Sequence, residues 1–159
     1  MTPETQDQHA RVEIWFQIEK DAEGYPRTRD SEGLLCRPLN PECSECEVSS
    51  VPLYLRNVAY GDLITTKRNP AGYLEFEKVI KRGGYSIYRL FLHDSDRKAE
   101  WIAALLEFDV LMEQDRHLIA IAVPPDVDSE CLITYMLDGK SRGWWGAQDG
   151  YIFGDDSPD

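Results

Sequence analysis

The chain has 159 residues, 42% of them hydrophobic, with four Trp, eight Tyr and five Phe; this is enough apolar surface to bury a core, which excludes a disordered chain. No run approaches the roughly 18 consecutive apolar residues of a membrane span, and the polar start MTPETQDQHA lacks the basic and apolar regions of a signal peptide. The formal net charge of −12 disfavours a nucleic-acid phosphate backbone as partner over most of the surface.

These bounds predict a cytoplasmic chain forming one domain or two small stacked ones. The charge is uneven along it. Residues 1–50 hold 11 acidic and 5 basic side chains, residues 51–93 hold 3 and 7, residues 94–130 hold 10 and 3, and residues 131–159 hold 5 and 2. A basic protein partner would be steered to such a surface, although the same balance also serves solubility.

Residues 1–10 read as a flexible tail. Arg11 to Glu19 alternates, with Val12, Ile14, Phe16 and Ile18 on one face, and predicts a half-buried strand. Lys20 to Gly33 reads as a loop, Gly33 to Leu39 as a short strand and Glu45 to Val51 as a third. Pro52 interrupts the ladder, and Leu53, Tyr54 and Leu55 are expected to plug a core. Tyr60-Gly61-Asp62 turns tightly. Strands then follow over Leu63 to Lys67 and Tyr73 to Lys81, with a turn at Asn69 to Gly72. Gly83-Gly84 is expected to close a two-residue hairpin onto a return strand over Tyr85 to Leu92.

After His93 the period changes from two to about 3.6. Asp94 and Asp96 are candidate N-caps for a helix through RKAEWIAALLEFD with a stripe of Trp101, Ile102, Leu105 and Leu106. A hairpin about Asp115-Arg116 leads into LIAIAV, Leu118 to Val123, apolar on both faces and so expected to be a buried central strand. Asp126 to Ser129 cap a second helix through ECLITYMLD, which Gly139 is expected to stop, with Cys131, Leu132, Tyr135 and Met136 buried. Trp144-Trp145 and Tyr151 to Phe153 supply a last strand, and the end of the chain, 154–159, reads as an acidic tail. The predicted fold class is α+β: a small bent sheet or half-barrel over 11–84, then a ferredoxin-like β-α-β-β-α-β unit over 85–153.

Little in the sequence points to catalysis. Gly83-Gly84 lacks the context of a phosphate loop, and no Ser-His-Asp or Cys-His arrangement can be assigned. His93-Asp94 is an acid–base pair by adjacency alone; His9 lies in the tail, and His117 flanks a hairpin. Cys43 and Cys46 form a lone C-x-x-C, with Cys36 nearby and Cys131 distant. Glu42, Glu45 and Glu47 are expected to keep these thiols protonated, so incidental thiols are preferred to a metal or redox site, and no metal or cofactor is expected. The basic set Arg56, Lys67, Arg68, Lys78, Lys81, Arg82 and Arg89 lies among tyrosines, as on a single-stranded nucleic-acid platform, but the surrounding acid opposes that use. Asp94, Asp96, Asp126 and Asp128 would gather at one end of the fold if both helices start there.

Asn57 to Asp62 (NVAYGD), Gly72 with Leu74 to Phe76, Val79-Ile80 and Gly83 to Arg89 (GGYSIYR), followed by Ala122 to Pro125 and Gly139 to Trp144, resemble bacterial domain-of-unknown-function family 4265. The resemblance spans roughly residues 12–153 and implies no activity and no site residues. The residues therefore predict a non-enzymatic, acidic protein-binding protein, such as a bacterial immunity protein or antitoxin that neutralises a basic toxin domain. Its contacts are expected from Asp94, Asp96, Glu100, Glu107, Asp109, Glu113, Asp126, Asp128 and Glu130. The alternative is a regulator that binds a small ligand or nucleotide in a cleft between the two parts.

Overall fold

The computed structural model describes residues 11–24 and 29–154; the first predicted tail with His9, the second beyond Gly154, and part of the first loop lie outside them. Among the described residues there are nine strands and two α-helices. The strands are β1 (Val12–Gln17), β2 (Ser31–Pro38), β3 (Glu45–Val48), β4 (Leu63–Arg68), β5 (Leu74–Lys81), β6 (Ser86–Leu92), β7 (Leu111–Asp115), β8 (Leu118–Val123) and β9 (Trp145–Asp149). Helix α1 (Lys98–Leu106) follows a 3-10 turn at Ser95–Arg97, and α2 is Glu130–Ser141.

Strands β1 to β5 form a closed barrel. The period-2 alternation of each strand turns Ile14, Phe16, Leu34, Cys36, Cys46, Val48 and Ile64 inward. The segment after β3 sends Leu55 and Val58 into the same interior, and Phe16 stacks on Phe76 at 4.8 Å. Closure comes from a parallel bridge between Trp15 of β1 and Glu75 of β5. Register shifts between Leu63 and Ile64 and between Thr65 and Thr66 of β4 supply the bend that a small barrel requires.

Strands β6 to β9 form a second, antiparallel sheet in the order β7-β8-β6-β9. One face carries Tyr88, Leu90, Leu92, Ile119 and Ile121, packed with Trp101, Leu105, Leu132, Met136 and Trp145 from the helices and β9. The other face carries Ile87, Ala120 and Ala122 against Val51, Ala59 and Tyr151. Strand β8 is therefore covered on both sides, as its LIAIAV sequence predicts, and all six of its residues are buried.

This topology corrects the predicted fold class. The chain is mainly β, with five of its strands closed into a barrel rather than an open half-barrel, and the α+β class with a ferredoxin-like unit is not carried forward. Gly83-Gly84 does not turn a hairpin. Strands β5 and β6 belong to different sheets, so the two glycines carry the chain from barrel to sheet. A second correction concerns the end of α2. Gly139 lies inside that helix, and Gly143 ends it at φ +80°. The Gly143 N–H donates to Lys140 O (3.1 Å) and the Trp144 N–H to Gly139 O (3.0 Å), the paired bonds of a Schellman cap. Gly139 is instead a contact residue, seated against the indole of Trp145. The buried stripe of α2 is Leu132, Met136 and Gly139, which leaves Cys131 exposed rather than in the core.

Candidate functional site

The acidic residues expected to meet a partner are all exposed, but they do not form one patch. Strands β6 and β8 are antiparallel, so the helices that follow them begin at opposite ends of the sheet. Asp94, Asp96 and Glu100 lie at the end where β6 finishes. There Asp94 Oδ1 accepts from the Asp96 N–H (2.9 Å), and Glu100 pairs with Arg97 (2.8 Å). Asp126, Asp128 and Glu130 lie beyond the end of β8. The register Leu111↔Ala122 brings the α1–β7 connection, with Glu107 and Asp109, to that same end, and Glu113 follows on β7. The predicted gathering of Asp94 and Asp96 with Asp126 and Asp128 therefore does not occur.

The six carboxylates near the β8 end form no ion pair among the described residues. Beside them lies a notch of about 240 Å³ lined by Ile102, Leu106, Met112, Glu113, Gln114 and Ile119. Leu106 is 52% exposed and Leu111 39%. Since β7 is an edge strand of its sheet, its outer row of backbone donors and acceptors has no ladder partner among the described residues.

The GD and GG elements that carry the family resemblance meet at the joint between the two sheets, together with Arg82. Asp62 is fully buried. Its Oδ2 accepts from the Ala59 N–H (3.0 Å) and from Arg82 Nη1 (2.8 Å), and its Oδ1 accepts from the Gly83 N–H (3.0 Å). Arg82 also donates to Asn57 O (2.8 Å) and lies 3.9 Å over the ring of Tyr151. A Cβ at Gly83 would stand 2.5 Å from Gly61 O, so the backbones approach too closely for any other residue. A cleft of about 480 Å³ opens beside this joint, bordered by Glu47, Tyr60, Lys81 and Tyr85, but the joint's own polar groups are spent on one another. The motif is a latch.

The remaining chemical candidates are also absorbed by structure. His93 Nδ1 lies 2.8 Å from Gly143 O, which ties the end of β6 to the cap of α2, and Asp94 is occupied in its own turn. They do not form an acid–base pair with each other. Cys36 and Cys46 are buried in the barrel. Burial, with a neighbouring thiol second, pushes Cys36 up to about 12 and Cys46 up to about 11. The cause is desolvation rather than the expected glutamates. A raised thiol pKa means that the unfolded chain ionises first, so this contribution is intact below pH 9 and is lost as pH rises through the window from 9 to about 12. Folding stability should accordingly fall above pH 9, and the fall should shrink in Cys36→Ala/Cys46→Ala. Thiol titration of the native chain should label the exposed Cys131 first, with Cys36 and Cys46 reacting only on denaturation; rapid labelling of either would contradict their burial.

Sequence reasoning passed over the importance of Arg89, which it placed in a basic set lying among tyrosines. Arg89 is 3% exposed, and its Nη2 donates to Pro52 O (3.2 Å) and to Leu55 O. Glu32, from β2, accepts from the N–H groups of Leu53 (2.7 Å) and Tyr54 (3.0 Å) and fixes the same segment. Burial lowers the Arg89 pKa to about 10 against the opposing pull of Glu32, with Arg56 lowering it further, and burial raises that of Glu32. The signal that could have found Arg89 is its phase: it shares a strand face with Ile87, beside a neighbouring strand that is apolar throughout.

A family model described as "Domain of unknown function (DUF4265)" matches residues 33–147. No curated protein matches the chain. Among solved structures, the chain is similar to one described as "Novel crystal structure of a hypothetical protein from Neisseria gonorrhoeae", with a TM-score of 0.68 and 15% identity, covering 89% of this chain and 96% of that one. At that identity the likeness is one of fold.

Proposed function

We propose a function for a chain that belongs to the DUF4265 family, whose description names no activity: it is a non-enzymatic protein-binding protein that takes a basic partner at the β8 end of its second sheet. The observation that carries this reading is the set Glu107, Asp109, Glu113, Asp126, Asp128 and Glu130, six carboxylates without an ion pair among the described residues. Glu113 among them lines an apolar notch at an open strand edge, and Glu107 follows its Leu106 in the chain. Apolar contact supplies affinity while the unpaired rim steers and orients a cationic surface. A strand of the partner has an edge to extend. An immunity protein or antitoxin that neutralises a basic toxin domain is the form that best suits a small acidic chain. Asp94, Asp96 and Glu100, at the other end, would be outside this contact.

The test is co-expression with a basic protein encoded beside this chain. The complex is expected to co-purify, to weaken by roughly an order of magnitude or more from low to high salt, and to be lost in Glu107→Lys/Asp109→Lys/Glu113→Lys. If the neighbour is a toxin, the wild-type chain should restore growth and the triple variant should not. Salt-independent association, or full protection by the triple variant, would overturn the reading.

A further inference from the structure

A second cleft lies at the other side of the second sheet, between the segment Leu53 to Arg56 and strands β6 and β9, with a volume of about 440 Å³. Its floor is Arg89, and Arg56, Tyr54, Phe91, Gly146 and Gln148 are among its walls. The register Arg89↔Gln148 and Phe91↔Gly146 sets these side chains beside one another across β6 and β9.

The charge in this cleft is unusual for its setting. A buried guanidinium is ordinarily paired with a carboxylate through two hydrogen bonds. Here the bonds of Arg89 go to two backbone carbonyls, and its Nε has no hydrogen-bond partner among the described residues. Glu32 acts on it only through space, because its oxygens are engaged by Leu53 and Tyr54 N–H groups. Arg56 is exposed, makes no ion pair among the described residues, and adds a second positive charge to the same locality. Asp21 is the carboxylate in the lining, and its Oδ1 accepts from the Glu23 N–H (2.9 Å) within its own turn. The apolar part of the wall is equally specific. Phe91 is 43% exposed, Leu53 is half-buried, and a Cβ at Gly146 would meet nothing within 4 Å. The space is of the size small-molecule sites occupy.

We propose that this cleft binds a small amphiphilic oxyanion, whose carboxylate or phosphate head is held by Arg56 over the charge of Arg89 and whose apolar body lies against Phe91 and Leu53 in the space left by Gly146. A planar guanidinium at the mouth offers two parallel donors to either head group. The buried cation beneath favours an anion in a place where the rest of this acidic molecule repels one. The site lies at the β9 edge, away from the acidic end at β7, and does not depend on the partner reading.

Calorimetric titration of the full chain with octanoate and with adenosine monophosphate, against octanol, adenosine and inorganic phosphate, tests this directly. At least one of the two anions should bind and raise the melting temperature. Its neutral counterpart should not bind, and inorganic phosphate, which lacks the body, should bind more weakly. Arg56→Ala should weaken binding roughly tenfold or more. Gly146→Leu should abolish it by filling the cleft while leaving the circular dichroism unchanged. Arg89 is left intact because its loss would release the Pro52–Leu55 segment. Failure of both anions to bind, equal binding of a neutral counterpart, or binding undiminished in folded Gly146→Leu would overturn the proposal.

Discussion

Asp62→Ala should cost about 3–5 kcal/mol of unfolding free energy, the range expected when one partner of a buried charge pair is removed. Three donors lose their acceptor together: the N–H groups of Ala59 and Gly83, and Arg82 Nη1. Water cannot readily replace that acceptor, because Asp62 is fully buried and the backbones of Gly61 and Gly83 press together beside it. Asp62→Asn keeps one acceptor oxygen but turns an amide N–H₂ toward the other donors, so an intermediate loss of about 1–2 kcal/mol is expected. Urea unfolding at constant m value reads both losses. A loss below about 1 kcal/mol in Asp62→Ala would mean that barrel and sheet are held by apolar packing alone, with the carboxylate incidental.

Gly139→Ala offers the second large effect, and two contributions of opposite sign decide it. Alanine in a helix interior is favoured over glycine by about 1 kcal/mol. Against this, a Cβ at Gly139 would overlap Cζ2 and Cε2 of Trp145 and stand 2.9 Å from Cη2. That ring has little room to withdraw. It is fully buried, its Nε1 donates to Met136 O (2.8 Å), and Trp101, Tyr135 and Trp144 surround it at 5.1 to 5.8 Å between centroids. Overpacking of this kind costs about 1–3 kcal/mol or more, so the steric loss should prevail and leave a net destabilisation of about 2 kcal/mol, with a changed near-ultraviolet tryptophan signal. A stabilised Gly139→Ala would show that helix and indole part easily.

What was legible in the sequence was mostly local. The alternation in Val12 to Ile18 and the two-faced apolar run Leu118 to Val123 mark strands, and both are buried as patterned. Asp94 does cap, accepting from the Asp96 N–H, but it caps the 3-10 turn that leads into α1, and α1 itself starts after Arg97 with no side-chain cap bond. The failures are of long range. Whether β5 meets β1 depends on a single bridge between residues 60 positions apart, Trp15 and Glu75, and no period reports that. Gly83-Gly84 has the composition of a hairpin turn, but Asp62, just before β4, holds Gly83 at the end of the barrel, and from there the chain crosses to the other sheet instead of turning back. The family resemblance was legible because turn and joint residues are short and chemically distinctive. For the same reason it described architecture and marked no contact surface. The acidic set was legible as composition, while its division between two ends required the antiparallel pairing of β6 and β8.

The closed barrel also governs what the chain does at high concentration. A sheet that closes on itself gives a second molecule no free strand to extend, so polymer growth through the barrel would first require opening it. Growth is confined to β7 and β9, the outer strands of the other sheet. Glu113 on β7 and Asp149 on β9 put a carboxylate on each of these edges, where like charges brought opposite one another oppose the ladder. Folding topology and charge thus act together to keep identical molecules apart.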